Sequence, residues 1–260
     1  MDSNPNLLDR RQVLRIAAAG AASSVQASAT LAQTLTRGSI KAIAFDAFVI
    51  FDPSSVAVVA EQLFRGKGAA LVSQWRIRQF EYSWLRTLSG RYTNFWNVTE
   101  HALVYAAMAA KLDLTASKRE QLMRAFLELK AYPDVPSGLI ALREAGIRLG
   151  FLSNMTERML KSAIESASLN AMFEQILSTD RVQAYKPDPR AYRMAIDAFA
   201  LPREEIVFAA FGGWDAAGAK SFGYATFWVN RLKLPAEVLE APPDAIGESL
   251  ADLVRFVGLK

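Results

Sequence analysis

Asp46 closes the apolar run Ile40-Lys41-Ala42-Ile43-Ala44-Phe45, and the residue two places beyond it is Phe48 rather than a second acid. A carboxylate fixed at a strand tip and partly desolvated by apolar walls can act as a nucleophile. The alternative is an Asp that merely caps the following turn. Three later polar stations favour chemistry, since each follows its own apolar run: Ser153-Asn154, Lys186 and Asp215.

The elements that must position these groups can be read from periodicity. Apolar, β-rich runs at Ile40–Phe51, Ile147–Leu152, Gln175–Ser178, Ile206–Phe211 and Ala225–Asn230 alternate with helical spacing at Thr156–Ser166, Pro189–Phe199 and Asp215–Phe222. This alternation predicts an α/β fold, a Rossmann-like parallel sheet covered by helices, with sites beyond the carboxyl ends of the strands. The interval from Ser54 to Lys130 breaks it. That stretch is helical in pattern and rich in aromatics (Trp75, Phe80, Tyr82, Trp84, Tyr92, Phe95, Trp96, Tyr105), and Pro133 and Pro136 mark the return. The expected organisation is a core of residues 38–53 and 131–260 with an inserted helical cap of residues 54–130. Gly66-Lys67-Gly68 lacks the spacing of a phosphate loop and is expected to be a turn.

Composition narrows the function. With 52% apolar residues the chain can bury a sizeable core, which excludes disorder. The net charge of +4 is scattered without a basic run, so a surface attracting small anions is expected and no nucleic-acid partner. Cysteine is absent and His101 is the sole histidine. Thiol catalysis, zinc thiolate sites and disulfides are excluded, and no G-x-S-x-G elbow accompanies His101, which is expected to be structural. Residues 1–32 contain Arg10-Arg11, an apolar run from Ile16 to Ala22, and Ala27-Ser28-Ala29. In that order they resemble a twin-arginine export signal, implying a periplasmic protein with no stable membrane insertion after cleavage.

The four stations together resemble the haloacid dehalogenase superfamily. Its L-2-haloacid dehalogenase (type II) branch is suggested by Trp75-Arg76-x-x-Gln79-Phe80-Glu81-Tyr82-x-Trp84-Leu85-Arg86 and Arg91-Tyr92-x-Asn94-Phe95 in the cap segment. Leu152-Ser153-Asn154, Tyr185-Lys186-Pro187-Asp188-x-Arg190-x-Tyr192 and Trp214-Asp215-Ala216-x-Gly218-Ala219 extend the likeness over roughly Lys41 to Asn230. The resemblance implies metal-free, cofactor-free hydrolysis of short-chain (S)-2-haloacids to (R)-2-hydroxyacids, with Asp46 forming an aspartyl ester. It further implies that Arg76 and Asn154 receive the halide and Ser153 binds the substrate carboxylate. Lys186 would hold Asp46, and Asp215 would place the hydrolytic water. Phe48, Phe95, Tyr192 and Trp214 would wall the pocket. A homodimer with contacts near the cap is implied as well. Magnesium phosphatases of the same superfamily need a second Asp where Phe48 stands and paired acids where Asp215 stands alone, so that activity is disfavoured.

Two stretches depart from the branch pattern. Val49-Ile50 replace Gly-Thr after the nucleophile, and Phe211-Gly212 replace Ser-Asn before Asp215. A hydroxyl and an amide are thereby lost, and one preorganised hydrogen bond can be worth roughly 10²–10³ in rate. These losses predict slowed ester hydrolysis, or a silent periplasmic binding protein that has kept the fold.

Overall fold

The computed structural model describes residues 40–259. Residues 1–32, and with them the expected export signal, lie outside those described. Among the described residues six parallel strands form one sheet in the order β5-β4-β1-β6-β7-β8. These are β1 (Ala42–Phe45), β4 (Arg148–Ser153), β5 (Gln175–Ser178), β6 (Ile206–Ala210), β7 (Ala225–Val229) and β8 (Ala245–Gly247). β1 is central, in register with β4 on one side and β6 on the other, so Phe45 lies between Phe151 and Ala209. The chain order reverses there, and the crevice beyond the strand ends is where such sheets place ligands.

Alternation along β1 sends its two faces to different cores. Ile43 and Phe45 join a core with Leu139, Leu142, Leu160 and Leu253, whereas Ala42 and Ala44 face a second core with Tyr192, Phe199 and Ala219. All four β1 residues are fully buried, as expected for a parallel strand covered on both faces.

The apolar run read as one strand over Ile40–Phe51 is broken. The ladder runs through Phe45, and the Asp46 amide still donates to Ala209 O at 2.9 Å. Asp46 then caps a short helix, α1 (Ala47–Ile50), accepting from Phe48 N at 3.1 Å. The capping Asp overrides the apolar pattern because its oxygen offers the turn an amide acceptor that a strand would not. A short antiparallel pair follows, β2 (Phe51–Asp52) with β3 (Lys130–Ala131). Between its two strands lie the helices α2 (Ser54–Leu63), α3 (Gly68–Leu88), α4 (Phe95–Ala109) and α5 (Ala116–Ala125).

Gly66-Lys67 lie in the turn between α2 and α3, and Gly68 opens α3. A Cβ on Gly68 would fall 2.3 Å from Glu61 N, so only glycine lets these helices cross so closely. Trp75 Nε1 donates to Thr99 O at 2.7 Å, tying α3 to α4 in a dry interior. β8 and the helix Leu250–Phe256 were not anticipated. Both are short, and neither gives a clear period within its window. No helix among the described residues is long and apolar enough to cross a membrane.

Candidate active site

The predicted charged residues converge at the carboxyl end of the sheet. Asp46 leaves the tip of β1, Ser153 ends β4 and Asn154 follows it. Lys186 follows β5, and Asp215 sits in the first turn of the helix Gly213–Phe222 after β6. Lys186 Nζ donates to Asp46 Oδ1 at 2.8 Å and to Asp215 Oδ2 at 2.5 Å. Tyr192 Oη donates to Asp215 Oδ1 at 2.7 Å. Lys186 and Asp215 are each 1% exposed, so these two are closed from water and must be satisfied within the row, while Asp46 keeps an edge on the cavity. Burial drives the Asp215 carboxyl up to about 6, with the Asp46 charge adding to the rise and the Lys186 ammonium opposing it. Burial alone would lower the Lys186 pKa, but Asp215 and Asp46 outweigh it and hold the pKa above its ordinary value. The ammonium is therefore permanent.

The peptide that carries Lys186 is fixed from both sides. Its amide donates to Asn154 Oδ1 at 3.0 Å, and its carbonyl accepts from Trp84 Nε1 of α3 at 3.2 Å. Tyr185 N donates to Thr87 Oγ1 at 3.1 Å, so α3 holds the loop of Lys186 at two points. Ser153 Oγ accepts from Met155 N at 3.1 Å.

Above the row lies a cavity of about 180 Å³ bordered by Asp46, Phe48, Arg76, Phe95, Ser153, Asn154, Trp214 and Asp215. Arg76 reaches into it from α3. Its guanidinium lies over the rings of Phe48 and Phe211, at 5.7 and 5.8 Å from their centroids, and those rings are 6.0 Å apart. Burial lowers the Arg76 pKa, and Tyr132 and Asp46 partly restore it; an arginine stays charged regardless. Among the described residues no carboxylate is paired with this cation, so its N–H groups are left for a ligand. Trp214 closes another wall, packed edge-on against Phe80 and Trp84 at 5.3 and 5.4 Å. The assembly is one carboxylate held by a buried cation, an anion-binding guanidinium opposite, and aromatic walls. Such a site can run a displacement at carbon with an anionic leaving group.

Comparisons with known proteins agree with this geometry. The profile of the haloacid dehalogenase-like hydrolases matches residues 31–223. An (S)-2-haloacid dehalogenase of Pseudomonas sp. (strain YL) is 40% identical over 218 residues, 84% of this chain and 94% of that one. The crystal structure of an L-2-haloacid dehalogenase superposes with a TM-score of 0.83 at 44% identity, covering 84% of this chain and 98% of the other. The chain belongs to the haloacid dehalogenase-like hydrolases. A further relative, the L-2-haloacid dehalogenase of Xanthobacter autotrophicus solved with chloropropionic acid covalently bound, superposes with a TM-score of 0.79 at 32% identity, covering 85% of this chain and all of that one.

Within this dehalogenase-like site most of the predicted residues meet, and one is displaced. Tyr192 does not wall the cavity. It is fully buried behind Asp215, between Phe208 and Tyr224, because its hydroxyl is drawn to the carboxylate while its ring fills the second core. His101 lies exposed on α4, beside Arg86. Sequence reading missed Phe80, Met155, Phe211, Leu232, Leu234 and Glu237, which also border the cavity. Phe80 stood in the quoted cap segment. The loop from Leu232 to Glu237 carries no period, so only the fold could have brought it here.

The departures from the branch pattern acquire physical reasons. Val49 and Ile50 are fully buried in the larger core, so that turn is packed by aliphatic contact instead of a hydroxyl. A Cβ on Gly212 would fall 2.8 Å from Trp214 Nε1, so the indole occupies the space into which a side chain at position 212 would project.

Proposed function

We propose that this protein hydrolyses short-chain (S)-2-haloacids to (R)-2-hydroxyacids through a covalent ester on Asp46. The observation that carries the reading is the Asp46–Lys186 pair facing the unpaired Arg76 across the same small cavity. Asp46 attacks the halogen-bearing carbon from the side opposite the halogen. A carbon–oxygen bond forms as the carbon–halogen bond breaks, and the carbon inverts. The halide departs with the bonding electrons toward Arg76 and Asn154, whose donors stabilise the growing charge. Halide needs no proton, which is why Phe48 suffices where a phosphatase requires an acid. Ser153 takes the substrate carboxylate, while Phe48, Phe95 and Trp214 exclude bulk water. At about 180 Å³ the cavity is well below the roughly 300–1,000 Å³ of drug-sized ligand sites, which favours acids of a few carbons.

Chloride release from (S)-2-chloropropionate tests the reading, with Asp46→Asn as the comparison. The protein should release chloride in many-fold excess over its own concentration, and the variant should release none above background. Equal release by both would sink the assignment. A second reading, capture without turnover, is favoured by Ile50 and Gly212; it predicts no more than one chloride per chain.

Residues 54–130 are taken to act as a cap over the core. Exposed Ile77, Leu85, Leu88, Tyr105 and Met108 on α3 and α4 suit the homodimer contact expected near it, which light scattering would detect. Export to the periplasm through Arg10-Arg11 is part of the same proposal, checked by fractionating cells that express the full chain.

A further inference from the structure

The short helix α1 that follows the nucleophile poses a hydrogen-bonding problem at its far end. Val49 is fully buried, and the residue four places on, which would bond its carbonyl in a longer helix, is Pro53 and has no amide hydrogen. A buried carbonyl left unpaired is costly. Backbone amides serve its neighbours: Phe51 N donates to Ala47 O, and Tyr132 N to Ile50 O at 3.1 Å. Ile50 brings no hydroxyl to the turn. Val49 O is served from the other end of the chain, by Arg231.

Arg231 Nε and Nη2 donate to that oxygen at 3.1 and 3.0 Å. The rest of the fork goes to Asp134, from Nη1 to Oδ1 at 2.9 Å and from Nη2 to Oδ2 at 3.1 Å. The guanidinium lies 3.9 Å from the centroid of the Tyr132 ring, and its side chain is 8% exposed. Planarity, a fixed fork and a permanent charge suit arginine to this place, and charge-assisted bonds are the strong ones. Arg231 stands outside the cavity wall, although Leu232 and Leu234, just after it, belong to that wall. The other end of α1 holds the nucleophile. Phe48 N donates to Asp46 Oδ2 at 3.1 Å, while Lys186 holds Oδ1 at 2.8 Å. Oδ2 is therefore placed only as well as the short helix that carries Phe48.

We propose that Arg231 is a positioning residue for the nucleophile, an inference that rests on the function proposed above. It pins the far end of α1 at Val49 O and so fixes the Asp46 oxygen that Lys186 does not hold. Displacement needs the attacking oxygen, the carbon and the halide in line, and a misplacement of about 1 Å can cost roughly 10² in rate. The bonds to Asp134 have a different task. Asp134 also accepts from Leu250 N at 2.7 Å, so that pair ties the loop after β7 to the body of the core. Positioning belongs to the Val49 bonds, and stability to the Asp134 bonds.

Two variants separate these tasks. Arg231→Met removes both sets of bonds, whereas Asp134→Asn weakens the ion pair and leaves the bonds to Val49 O. With (S)-2-chloropropionate in a single turnover, Arg231→Met should release chloride roughly 10²-fold more slowly than the parent, with KM little changed. Asp134→Asn should unfold at lower urea yet keep the parent rate. If Arg231→Met does not fold, Arg231→Lys keeps the charge without the fork, and slowing in the same sense is expected. Hydrogen exchange followed by peptide mass spectrometry reads the turn without recourse to activity: residues 46–51 should exchange faster in the Arg231 variant and not in Asp134→Asn. Parent-like chloride release by the Arg231 variant overturns the role. Equal slowing of both variants also overturns it, because loosened packing and not the bond at Val49 would be the cause. So does a rise in KM at unchanged kcat, which would place the effect in the wall at Leu232 and Leu234. A parent that releases no chloride overturns the dehalogenase reading instead, and the exchange of residues 46–51 then decides alone whether Arg231 holds the turn.

Discussion

At the floor of the cavity Lys186 joins Asp46 to Asp215, with Lys186 and Asp215 shut away from water, whereas at its walls and mouth Arg76 and Glu237 have no ionic partner among the described residues. Both arrangements place charge where an ordinary core would not. Charges that satisfy each other are preorganised and hold the nucleophile still, but they have little left to give a ligand. Charges held by rings or by a glycine gap keep their hydrogen-bonding groups open to a ligand. Positioning thus belongs to the floor, and contact with the leaving group to the mouth.

The sharpest way to break this comparison is to remove the cation of the floor. Lys186→Met leaves two buried carboxylates facing one another without compensation. A buried pair broken in this way loses about 3–5 kcal/mol, and chloride release should fall by at least roughly 10³ as Asp46 loses its anchor. Urea unfolding and the chloride assay measure the two effects on one sample. Unchanged stability would show that the row is not a closed unit.

The same division decides what could be read from the sequence. Asp46, Ser153, Asn154, Lys186 and Asp215 were legible because each lies at or shortly after the end of an apolar run, and parallel strands bring their carboxyl ends together whatever lies between. Arg76 and Phe95 were found only through the likeness of the cap segment. The helical period shows which residues share a face, and not which face meets the sheet. Tyr192 was misplaced for a related reason: the likeness put it in the pocket wall, and a motif cannot say on which side of Asp215 the ring packs. Glu237 had no signal. It sits in an irregular loop, and its approach depends on a glycine 24 positions earlier.

A change at the mouth should spare the fold and strike the halide. Arg76→Lys keeps the charge but removes the planar fork that lies over Phe48 and Phe211. We expect kcat/KM to fall by roughly 10², with a stability change below about 1 kcal/mol. Product inhibition by chloride should weaken in parallel, since the free halide and the departing one use the same donors. A loss of stability comparable to that of Lys186→Met would erase the distinction between floor and mouth.

The smallest expected effect comes from pH, and it sharpens the account of the floor. With Asp215 ionised, the Lys186 ammonium is shared between two carboxylates and Asp46 keeps its nucleophilicity. When the pair takes up a proton near pH 6, the full positive charge falls on Asp46 and draws its electrons back. Chloride release should therefore drop about tenfold per unit below roughly pH 6, and Asp215→Asn should lack that limb. Stability runs the other way. Between an ordinary carboxyl value of about 3.9 and about 6, the folded protein binds a proton that the unfolded chain has released. The contribution of Asp215 to stability is thus greatest below that window and is lost as pH rises through it. Chloride release and urea unfolding, followed over the same range, should diverge across it in the parent and not in Asp215→Asn. If both fell together toward acid, the limb would be loss of the fold, and the shared cation would not be its cause.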